Sequence, residues 1–66
     1  MIVLKRIMPS TKVQECLVNE NQIMWAQGGK NEAGDYCTTV FMSYGPELYV
    51  EDTIDEILVL IHNRGL

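Results

Sequence analysis

Short apolar runs separated by turn-forming residues fill most of the chain, and this alternation predicts strands. Ile2–Ile7 is apolar-rich and runs into Met8-Pro9-Ser10-Thr11, a turn signal. Val13–Val18 reads as a second strand, broken by Asn19-Glu20-Asn21, residues that favour turns. The third strand is expected over residues 22–27 (QIMWAQ). Residues 28–35 include Gly28, Gly29 and Gly34 and no large apolar side chain, which predicts a long hairpin loop. Residues 36–44, rich in Tyr, Thr, Val and Phe, predict the fourth and strongest strand. Gly45-Pro46 is a tight turn, and Leu48–Val50 reads as a fifth strand.

The pattern then changes period. Ile54, Ile57, Leu58 and Ile61 recur at helical spacing and predict one amphipathic stripe. Thr53 followed by Glu56 is a capping box, in which each side chain satisfies a backbone N–H at the helix start. Asp55 and Glu56 suit the positive end of the helix dipole, as Arg64 suits the other end, and Gly65 is a natural stop. The expected fold is α+β: a small, mainly antiparallel five-stranded sheet or partial barrel with one C-terminal helix, forming a single domain over residues 1–66.

One helix covers one sheet face. Val40, Met42, Leu48 and Val50 alternate onto a shared side and are the expected partners of the helix stripe. Phe41, Tyr49 and Cys37 fall on the other side, and Val59 falls on the wrong side of the helix. Barrel curvature or a second subunit is then needed to cover them. A chain of 66 residues is near the lower limit of independent folding, which favours a homo-oligomer.

Charge removes several function classes. The net charge is −4, and Lys5, Arg6, Lys12, Lys30 and Arg64 are scattered apart from one adjacent pair, so no basic patch for nucleic acid is expected. No apolar run reaches the length that spans a bilayer, and the N-terminus lacks the pattern of a signal peptide. A cytoplasmic protein with reduced thiols is the simplest expectation.

The stretch TTVFMSYGPELYVEDTIDEILVLI resembles the C-terminal half of the FlbD/SwrD-like small proteins, which are linked to flagella and swarming motility. The parallels run from Met1-Ile2-Val3-Leu4 through Leu17-Val18-Asn19 and Ile23 to Thr38, Val40, Met42, Gly45 and Val50. They end in Asp52-Thr53 and Glu56-Ile57. The likeness covers most of the chain but consists of fold punctuation; the central loop is longer here, and Gly45 is followed by Pro46. The resemblance implies the same architecture, a motility-related role, and a likeness to short chains of phage-like gene sets.

No reaction is written in the residues. His62 sits near the helix end, where imidazole suits the dipole, with no nucleophile spaced to meet it. Cys16 and Cys37 have no adjacent positive charge and read as small packed hydrophobes. Glu47, Glu51, Asp52, Asp55 and Glu56 lack the spacing of a calcium loop, and no metal or other cofactor is expected. The expectation is a non-enzymatic regulatory protein that binds a macromolecular partner through Trp25, Phe41, Tyr49 and Val59. The alternative is a small-ligand protein that holds a nucleotide-like signal at a subunit junction. Trp25 and Tyr36 would then stack on the ligand, and Lys30 or Arg6 would supply charge.

Overall fold

The computed structural model describes residues 1–10, 12–30 and 34–64. Strands β1 (Ile2–Ile7), β2 (Val13–Val18), β3 (Ile23–Lys30), β4 (Tyr36–Met42) and β5 (Leu48–Val50) precede one helix, α1 (Ile54–Arg64). All strand pairs are antiparallel, in one open sheet of order β2-β1-β5-β4-β3. Two hairpins thus flank a short central strand that arrives last. This is the α+β fold the sequence predicts.

The connection from β2 to β3 fixes the shape. These strands lie at opposite edges, yet only Asn19 and the single 3-10 turn Glu20–Gln22 separate them. Flat, five strands would put the edges about 19 Å apart, at roughly 4.8 Å per strand spacing. A four-residue link reaches less than that once one turn of it is helical. The sheet therefore curls, with a concave and a convex face.

The concave face is the core. Ile2 faces Val18, Leu4 faces Cys16, and Thr38 faces Val50, so register puts these side chains together. Ile2, Leu4, Val18, Val40, Val50 and Ile57 are buried, with Ala26, Met42, Leu48, Leu60 and Ile61 packed against them. Ile57 anchors the helix. Successive residues turn by about 100°, so Leu60 and Ile61 flank Ile57 while Leu58 lies to the side. Leu58 is 57% exposed, which corrects the stripe expected from spacing: Leu60 takes its place.

The helix start forms as its sequence predicts. Glu56 Oε1 accepts from Thr53 N–H at 2.8 Å, and Thr53 Oγ1 accepts from Glu56 N–H at 3.1 Å. Asp52 just before it is only 3% exposed. Its Oδ1 accepts from the Lys5 amide at 2.7 Å, where a continuing β5 would have offered a carbonyl, and its own carbonyl accepts from Thr38 Oγ1 at 2.6 Å. That hydroxyl proton is spent on the carbonyl, so the Tyr36 hydroxyl 3.3 Å away acts as donor to Thr38. Asp52 ties the strand-to-helix step to both β1 and β4. It belongs to the frame, not to a solvated acidic cluster.

Three boundaries move. Strand β3 continues through Gly28 and Gly29 to Lys30, which pair with Thr38, Cys37 and Tyr36, so the glycines expected in a loop are in the sheet. A side chain at Gly28 would collide with the Tyr36 hydroxyl, which lies across it. Residue 22 closes the 3-10 turn instead of opening the strand, and β4 ends at Met42. Positions 31–33 of the expected loop, Thr11 of the first turn and the helix stop at Gly65 lie outside the described residues.

Candidate functional site

The convex face is where chemistry and exposure coincide. Register places Val3 with Leu17, Lys5 with Glu15, Ile7 with Val13, Thr39 with Tyr49, and Phe41 with Trp25, all opposite the core. Trp25 is 51% exposed and Tyr49 48%, and Val3, Val13 and Leu17 are exposed on β1 and β2. The Trp25 and Phe41 rings stack at a centroid distance of 4.0 Å and an angle of 12°. A bulge at Met24 sets this up: the register shifts between Ile23, opposite Met42, and Trp25, opposite Phe41. The extra residue turns Trp25 outward after Ile23 has faced the core.

The middle of this face is amphipathic. Exposure alternates along β5 and its flanks, with Glu47, Tyr49 and Glu51 outward and Val50 and Asp52 inward. The Tyr49 hydroxyl donates to Glu47 Oε1 at 3.0 Å; that bond and the Glu47 charge raise the phenol's pKa above its ordinary value. A cavity of about 430 Å³ opens here, bordered by Arg6, Ile7, Met8, Cys37, Glu47 and Tyr49.

The residues nominated from sequence divide between surfaces. Trp25, Phe41 and Tyr49 share the convex face. Val59 lies apart from them on the helix, 56% exposed, and borders a groove whose other wall is the β1–β2 end of that face, Val3, Lys5 and Glu15. The nominated ligand platform is not assembled, because Tyr36 and Lys30 pair on the face opposite Trp25, and Arg6 is in β1, three strands from β3. Cys16 and Cys37 are free and lie on opposite faces, which rules out a bridge between them. Burial pushes the Cys16 thiol up in pKa, partly offset by the Arg6 charge. His62 is exposed near the helix end.

Among the described residues no three His, Cys, Asp or Glu side chains gather as a metal site, and no helix is long and apolar enough to cross a membrane. Compared with protein-family models, curated proteins and solved structures, the chain matches none.

Proposed function

We propose that this protein is a non-enzymatic interaction module that regulates by occupying a macromolecular partner with its convex sheet face. The observation that carries this reading is the set of exposed aromatic side chains opposite the core, Tyr49 and the Trp25–Phe41 stack. Aromatic anchors on a rigid sheet lose little freedom on docking, which suits them to an interface. A catalytic role has no comparable support: Cys16 faces the core, Cys37 the convex side, and His62 lies on the helix.

At high concentration, with no partner present, copies of the chain associate weakly through the same face. The resemblance to FlbD/SwrD-like and phage-like short proteins directs the search for the partner to motility machinery and phage-encoded factors. Affinity capture with the wild type beside Trp25→Ser and Tyr49→Ser variants tests the reading. A partner kept by the wild type and lost by variants of unchanged melting temperature is the expected result. Equal capture by all three would sink it.

A second reading, binding of a nucleotide-like small molecule, has the cavity beside Tyr49 in its favour, since about 430 Å³ falls within the range of ligand sites. It predicts a melting temperature that rises with ligand concentration. A flat response across a nucleotide panel would remove it.

A further inference from the structure

The convex face also carries a charge pattern, and that pattern selects among occupants. Glu47 and Glu51 flank Tyr49 on the central strand, and Glu15 adds a third exposed carboxylate on β2. Two bases lie nearby, Lys5 and Arg6, and the carboxylates Glu15, Glu47, Glu51 and Asp52 outnumber them. The Lys5 ammonium, at the strand position opposite Glu15, pairs with Asp52 at 3.5 Å, and Arg6 borders the cavity with Glu47. Acidic groups therefore frame the apolar centre.

A second copy stacked on this face would set two Glu47–Tyr49–Glu51 rows against each other across a sheet spacing of about 10 Å, where like charges repel. Phosphate-rich surfaces meet the same repulsion. We infer that the tight-binding partner is a protein presenting a basic amphipathic segment: Lys or Arg side chains reach Glu47, Glu51 and Glu15, and one large apolar side chain enters the Tyr49–Cys37 cavity. This rests on the docking role proposed above and adds the chemistry of the occupant. Self-association through the face is then weak and strengthened by salt. Partner binding is stronger and weakened by salt, as screening over roughly 8 Å at physiological ionic strength requires.

Selection from a displayed random-peptide library tests the inference, run on the wild type, on Glu51→Lys and on Glu47→Lys/Glu51→Lys. Both positions are exposed, so the fold survives the exchange; Glu51→Lys leaves the Glu47–Tyr49 hydrogen bond in place. The expected outcome is enrichment of peptides with Lys or Arg around a large apolar residue. Their affinity should fall at least about tenfold on the double variant and lose its salt dependence. Peptides that depend on Tyr49 but show no basic bias would overturn the inference and leave the docking face intact. No enrichment, with the chain a salt-insensitive dimer that buries Trp25, would overturn both.

Discussion

Replacing Asp52 with Ala removes the tie between the helix start and the sheet, and its cost follows from two contacts of unequal worth. The Lys5 amide donates to the Asp52 carboxylate at 2.7 Å in a part-buried setting. Hydrogen bonds to charged groups contribute about 1.5–3 kcal/mol, and a stranded donor adds to the loss. The Lys5 ammonium contact at 3.5 Å comes from a side chain 45% exposed and is worth roughly 0–1 kcal/mol. Asp52→Ala should thus cost about 2–3 kcal/mol, a large share of the roughly 3–10 kcal/mol expected for a chain of 66 residues. Asp52→Asn keeps an acceptor and should cost about half as much. Lys5→Met keeps the amide and should cost under about 1 kcal/mol. Urea unfolding, read by the helix signal in far-UV circular dichroism, gives all three from midpoints at constant slope. If Lys5→Met costs as much as Asp52→Ala, the side-chain ion pair holds the joint and the backbone argument is wrong. If neither variant moves the midpoint, Asp52 is not a tie at all.

Thr53→Ala breaks one half of the observed capping box and should cost about 0.5–2 kcal/mol in the same assay, with helix signal lost first. Tyr49 should ionise above the usual tyrosine range in an ultraviolet pH titration, and Glu47→Gln should bring it back towards about 10. Because the folded state holds this proton more tightly, the contribution is present below the ordinary value and is lost as pH rises through the raised one. Cys16, raised by burial, should alkylate slowly in the folded protein and at the rate of an ordinary thiol in urea; equal rates in both states would contradict its placement beside Leu4.

How much of this was legible without coordinates depended on whether the cause was local. The capping box, the short strands and the outward turn of Phe41 and Tyr49 follow from spacing alone, and each is found. Glycine misled at β3, because Gly28 and Gly29 read as loop when taken alone. Their strand state comes from pairing with Thr38 and Cys37, and a Cβ at Gly28 would meet the Tyr36 hydroxyl laid across it. The helix stripe was out of phase for a similar reason. Leu60 packs on the core and Leu58 is exposed, a rotation set by what the helix packs against and not by spacing. Asp52 itself carried one faint signal: the inward alternation of Val50 continues through an outward Glu51 to position 52. The acidic frame of the candidate site needed the sheet order, which sequence spacing does not encode.

The central claim is that the convex face stands open in the free protein and is covered by a partner. Trp25, the single tryptophan, reports on that face directly. Acrylamide quenching of its fluorescence in dilute protein is the decisive measurement. The account predicts red-shifted emission that is readily quenched and becomes protected when a partner binds. Blue-shifted emission that resists quenching at the lowest concentrations would mean that the face is already closed, and would contradict it.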